Sequence, residues 1–157
     1  VGGLGLGFTL VQVLAGLESD AVVDVAELLP AVVDWNRSYL QGLNGTALDD
    51  SRVQLHVGDA AKLIQKAKPG TYDAVMLDLD NGPVAMVASS NKNIYSKMGL
   101  LGVKRVLKPG GRAIFWSASI DAAFETRLKN AGFSVEAVPA KVHARAKRDS
   151  YILYVAE

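Results

Sequence analysis

The sequence predicts an α/β fold: a Rossmann-like, mostly parallel sheet with helices on both faces and an antiparallel hairpin at its C-terminal end. Three observations carry this prediction. Short β-branched runs alternate with stretches whose apolar residues recur every three to four positions. Proline and glycine punctuate the changes between the two patterns. The last two apolar runs are joined by a polar, basic connection with no helical period, so they are expected to pair antiparallel.

Taken in order, helical spacing covers residues 9–17, 30–40, 60–67, 95–107 and 121–131. Pro30 stands where a first-turn proline does no harm, and Lys108-Pro109-Gly110-Gly111 stops one helix and turns into a strand. Gly132 closes the helix before it. Strand runs occupy 21–27, 52–57, 72–78, 112–117, 133–139 and 151–156. A strand is also expected to begin ahead of Val1, because Val1-Gly2-Gly3 reads as the loop that follows one; it brings the expected count to seven. Strands alternating with helices imply right-handed crossovers and a sheet covered on both sides. No repeat or linker divides residues 1–157, which read as one nucleoside-binding domain.

Composition excludes several classes. Half of the 157 residues are apolar and the net charge is +1, so the chain can bury a core and is not disordered. The absence of cysteine removes disulfide scaffolds, thiolate metal sites and a cysteine nucleophile, and is compatible with the cytoplasmic setting expected here. Residues 1–17 carry no charge until Glu18, yet they lack a basic leader segment and are rich in glycine, so neither a signal sequence nor a membrane helix is expected.

Gly3-Leu4-Gly5-Leu6-Gly7 precedes the first helix. Such glycines allow a tight turn with positive φ and a close approach of backbone to ligand. The dinucleotide pattern G-x-G-x-x-G is not met: counted from Gly3 or Gly5, its third glycine falls on Phe8 or Leu10. Glu27 ends the next strand, twenty residues beyond Gly7, where a carboxylate can accept both ribose hydroxyls. Asp24 competes for that role but lies inside the strand. Gly58-Asp59 follows the next strand, and Asp59 reads both as a helix N-cap and as an acceptor for an adenine amino group.

Asp78-Leu79-Asp80-Asn81-Gly82-Pro83 follows the strand after that. Strand ends of this kind line the ligand crevice of open α/β sheets. Two carboxylates one residue apart can attract an ammonium group and take its proton if their environments separate their pKa values. Asp78 is the candidate base. Asp80 is assigned to the turn with Asn81 and, secondarily, to binding the amine. Tyr95 and Trp116 can wall an amine or adenine pocket, with core packing as the alternative for each. Trp35 is assigned to packing or a subunit interface, which leaves a homodimer open.

The array VGGLGLGFTL, AELLPAVVDWNR, RVQLHVGDA, YDAVMLDLDNGP and RVLKPGG resembles the spermidine synthase-like proteins, which share the class I S-adenosylmethionine-dependent methyltransferase fold. The resemblance implies that Glu27 holds the ribose, that Asp59 holds adenine, and that Asp78 is the general base toward an attacking amine. It also implies S-adenosylmethionine or its decarboxylated form as cofactor and a small amine as acceptor. Two departures stand out. Aminopropyltransferases of the family carry an acid in the glycine loop that anchors the aminopropyl nitrogen, and this chain has Gly5 at that place. Their second acid after the fourth strand also comes one residue later than Asp80. Methyl transfer and a non-catalytic binding role are therefore kept beside aminopropyl transfer.

Other classes are set aside. A metal-dependent methyltransferase would need an Asp-Asn pair after the next strand, and Ser117-Ala118-Ser119-Ile120-Asp121 supplies none; His56 and His143 have no ligand spacing. The basic run Lys141, His143, Arg145, Lys147 and Arg148 lacks interleaved aromatics, so a solvated turn is expected rather than a nucleic-acid surface. A nicotinamide oxidoreductase is disfavoured by the glycine spacing and by the terminal hairpin.

Overall fold

The computed structural model describes residues 1–79, 91–141 and 151–157, with the side chains of 91 and 92 left aside. The chain divides into two compact units, Val1–Leu63 and Ile64–Glu157. The expected Asp80-Asn81 turn and the basic run after Lys141 lie outside the described residues.

In the first unit, helix α1 (Phe8–Ala15) is followed by strand β1 (Val23–Glu27), helices α2 (Pro30–Ser38) and α3 (Gln41–Asn44), a 3₁₀ turn (Ala47–Asp49) and strand β2 (Val53–Val57). The strands pair in parallel from Val23 beside Val53 to Glu27 beside Val57. Leu10 and Leu14 of α1 pack with Val23 and Val25 of β1 and Val33 of α2 in one buried cluster. These positions follow the helical period on α1 and the two-residue period on β1, as an amphipathic element on a sheet requires. Arg52 closes the C-terminal end of α1, donating to Leu14 O at 3.0 Å and Leu17 O at 2.9 Å. A cation there satisfies carbonyls that the helix leaves unbonded. Its hydrogen bond to Asp50 holds that carboxyl down at about 2.

Helix α4 (Ala60–Lys66) crosses into the second unit. There, β3 (Tyr72–Leu77), α5 (Asn91–Ile94), α6 (Lys97–Val106), β4 (Leu107–Ser117), α7 (Ala122–Asn130), β5 (Val135–Ala140) and β6 (Tyr151–Ala156) follow in order. The sheet runs β3-β4-β6-β5. β3 and β4 are parallel, and β6 is antiparallel to both β4 and β5. Leu100, Val103 and Val106 bury one face of α6 against a core holding Phe115, Phe124, Leu128 and Tyr154. Ser96 Oγ caps α6 by accepting the Gly99 N–H, and Asp121 Oδ1 caps α7 by accepting the Phe124 N–H. Arg105 of α6 donates to Ile64 O and Ala67 O, closing the end of α4.

The predicted alternation and the C-terminal antiparallel pair are present, but the seven-stranded sheet is corrected. Among the described residues there are six strands, two in one sheet and four in the other. Of the strand expected to begin ahead of Val1, the described residues hold the short ladder of Val1–Gly3 beside β1. Ala26 N–H donates to Val1 O and Gly3 N–H to Ala26 O, making a single bridge before Gly3 turns to φ 88°. Lys108-Pro109-Gly110-Gly111 follows the end of α6 at Val106 as expected, and it lies within β4 as a bulge, where the register with β3 slips between Tyr72 and Ala74.

Candidate functional site

The glycine loop is held from both ends. Leu4 N–H donates to Glu27 Oε2 at 2.9 Å, and Leu29 N–H donates to Glu27 Oε1 at 2.9 Å. Glu27 is 8% exposed at the end of β1. Each carboxylate oxygen has further lone pairs, so these two bonds leave acceptor capacity for hydroxyl donors. Gly7 N–H closes a turn onto Leu4 O at 2.9 Å, and Gly7 caps α1 at φ 83°. A Cβ at Gly7 would stand 2.8 Å from Asn36 Oδ1 and from Asn44 Nδ2, so glycine is required there by space as well as by φ. Gly5, at φ 52°, has nothing within 4 Å of an added Cβ, and its outer side is open.

Asp59 lies beside this loop in the same unit. Gly58 N–H donates to Glu27 O at 2.7 Å, which places Asp59 one residue past the contact between the two strand ends. Its Oδ1 accepts the Ala61 N–H at 2.8 Å at the start of α4, the N-cap role. Around these residues the exposed large side chains include Leu6, Phe8, Leu28, Leu29 and Val57, which offer apolar surface to a flat ring. Asp24, the competitor of Glu27, is engaged elsewhere, with Oδ1 2.6 Å from Nε2 of His56 on the neighbouring strand.

Two site residues escaped the sequence reading. Asn36 and Asn44 are 3% and 7% exposed and bind the loop from behind. Asn36 Nδ2 donates to Gly5 O at 2.9 Å, and Asn44 Nδ2 donates to Leu6 O at 3.3 Å and to Asn36 Oδ1 at 2.5 Å. The one signal available was an asparagine inside the amphipathic period of α2, a residue that favours caps and turns over helix interiors.

In the second unit, Asp78 directly follows β3. Its side chain keeps contact with solvent, while the surrounding protein desolvates it enough to push its carboxyl above the usual carboxylate range. Tyr95 is 3% exposed and sits in the core, its ring centroid 5.6 Å from that of Phe124 and 6.3 Å from that of Phe115. That is the packing alternative for Tyr95. Trp116 packs against Tyr151 with the ring centroids 4.9 Å apart and the rings tilted by 48°. Trp35 is exposed on α2. No three His, Asp or Glu side chains gather as a metal would need, and no helix is long and apolar enough to cross a membrane, among the described residues.

Comparison with known proteins bears on this geometry. The chain is 34% identical over 90 residues to spermine synthase of Arabidopsis thaliana, covering 57% of this chain and 23% of that protein. It is 32% identical over 111 residues to putrescine N-methyltransferase 1 of Nicotiana tabacum, covering 71% and 28%. The chain thus spans about a quarter of the length of these curated relatives. Human methyltransferase-like protein 13, solved in complex with SAH, superposes on 99% of this chain and 69% of its own with a TM-score of 0.72 at 21% identity, a likeness of fold. The spermine/spermidine synthase domain model matches residues 1–129, and the chain belongs to that family.

Proposed function

We propose that this chain binds a sulfonium nucleoside, S-adenosylmethionine or its decarboxylated form, and serves a transferase that moves a methyl or aminopropyl group to a small amine of the polyamine class. The observation that carries the proposal is the placement of Glu27. A buried carboxylate at the end of β1 is bonded to the glycine loop and keeps lone pairs for a ribose, with Asp59 just past the end of the adjacent strand. The exposed Leu28, Leu29 and Val57 suit a purine face. The names of the relatives, a spermine synthase and a putrescine N-methyltransferase, support the amine acceptor.

When bound, the donor supplies a carbon already activated toward attack by its positive sulfur. The work left to the protein is alignment and a proton. An amine attacks only when neutral, and Asp78 is the group proposed to take its proton; a carboxyl raised above its usual range is the better base. Of the two transferable groups, the loop favours methyl. Gly5 brings no carboxylate to the position where an aminopropyl ammonium would need one, and the side chains between Gly2 and Gly7 are apolar.

Calorimetric titration with S-adenosylmethionine, its decarboxylated form, methylthioadenosine and NAD tests the reading. Binding of the sulfur nucleosides, with S-adenosylmethionine preferred over the decarboxylated form, is expected. Preference for NAD overturns the proposal, and preference for the decarboxylated form reverses its choice of group.

A further inference from the structure

We infer that Asn36 and Asn44 are positioning residues, a paired amide clamp that sets the peptide orientation of the glycine loop and through it the affinity for the nucleoside; the inference rests on the functional reading above. Both amide protons of Asn36 are committed, one to Val32 O at 2.8 Å on its own helix and one to Gly5 O at 2.9 Å on the loop. Its Oδ1 accepts from Asn44, whose amide also reaches Leu6 O. Turning the Asn36 amide over would aim its oxygen at two carbonyl oxygens, so its orientation is unique.

Two successive loop carbonyls are thereby drawn inward. In a trans peptide the N–H points opposite to the C=O it shares a plane with. The Leu6 N–H, paired with the Gly5 carbonyl, is therefore turned away from α2, and it has no acceptor among the described residues. The Gly7 N–H, paired with the Leu6 carbonyl, is spent on Leu4 O. The clamp thus frees one defined donor, Leu6 N–H, on the outer side of a loop whose Gly5 faces open space. The absence of room for a Cβ at Gly7 leaves the loop little slack against the two amides.

The test titrates S-adenosylmethionine into the wild-type chain, Asn36→Ala, Asn44→Ala and the double variant, each shown to be folded by circular dichroism at the working temperature. Affinity is expected to fall about tenfold in each single variant, the effect of one lost buried hydrogen bond. The double variant should fall short of the product of the two, because the pair acts together. In the wild-type chain, saturating methylthioadenosine should shift the Leu6 backbone amide resonance while the Asn36 side-chain amide stays in place, a measurement that decides the matter even if the variants do not fold. Folded variants that bind like wild type, or an unmoved Leu6 resonance at saturation, overturn the clamp alone. A wild-type chain that binds neither nucleoside overturns the functional reading and the clamp with it.

Discussion

Glu27 and Leu4, twenty-three residues apart, are joined by a hydrogen bond of 2.9 Å from the Leu4 N–H to the Glu27 carboxylate. The bond fixes the entry of the glycine loop against the end of β1, and the second oxygen does the same for the Leu29 N–H at the entry to α2. One side chain therefore sets the spacing of the two segments proposed to hold the nucleoside. Glu27→Gln replaces one acceptor with an amide whose protons face a backbone N–H. The loss of a charged hydrogen bond, about 1.5–3 kcal/mol, should appear in thermal melts as a drop of several degrees. Nucleoside affinity should fall at least about tenfold by calorimetry.

Gly5 and Gly7 should respond differently to alanine. Both have positive φ, which costs a side chain roughly 1–2 kcal/mol. At Gly7 the added carbon also meets both asparagine amides at 2.8 Å, whereas at Gly5 it meets nothing. Gly7→Ala is expected to be the less stable variant in thermal melts. Gly5→Ala is expected to lose nucleoside affinity out of proportion to its stability, because its methyl projects into the open side of the loop.

Asp59 has two roles that two substitutions separate. Asp59→Ala removes the acceptor for the Ala61 N–H, and losing such a cap costs about 1 kcal/mol. Asp59→Asn keeps an N-cap oxygen but removes the charge. It should hold wild-type stability in denaturant titration while weakening adenosine binding. Equal binding by wild type and Asp59→Asn would leave the residue with the cap alone.

Asp78→Asn should abolish group transfer in a coupled assay while leaving nucleoside affinity unchanged; unaltered turnover would remove Asp78 as the base. A pH signature accompanies this. Desolvation raises the carboxyl in the folded chain, so the folded form retains a proton over a window that begins at the ordinary carboxylate value. Across that window stability declines as pH rises, since the unfolded chain has already given the proton up. Asp78→Asn, with no charge to desolvate, should flatten that decline in melts recorded from pH 3 to pH 7.

The sequence made much of this architecture legible, and for physical reasons. Apolar periods located the long helices and strands of the described residues, and they are clearest where one face lies against a core: Leu100, Val103 and Val106 on α6, and Ile152, Tyr154 and Ala156 on β6. Gly7 and Glu27 were readable because a turn before a helix and an acid at a strand end leave compositional marks. Residues 41–49 were not, since α3 and the 3₁₀ turn are too short to show a period. Asn36 and Asn44 were hidden because their partners are loop carbonyls, which no side-chain pattern records. For Tyr95 the sequence leaves a pocket wall and core packing both open, since it places the residue after the acidic loop but says nothing of Phe115 and Phe124 converging on it.

The position of β6 between β4 and β5 also orders events during synthesis. β5 pairs with β6, and the far edge of β4 pairs with β6. A nascent chain emerging from the ribosome therefore carries two unfilled strand edges until residues 151–156 clear the exit tunnel. Residues 151–156 act as the closing wedge, and a stall or truncation before Tyr151 turns both edges into templates for intermolecular pairing.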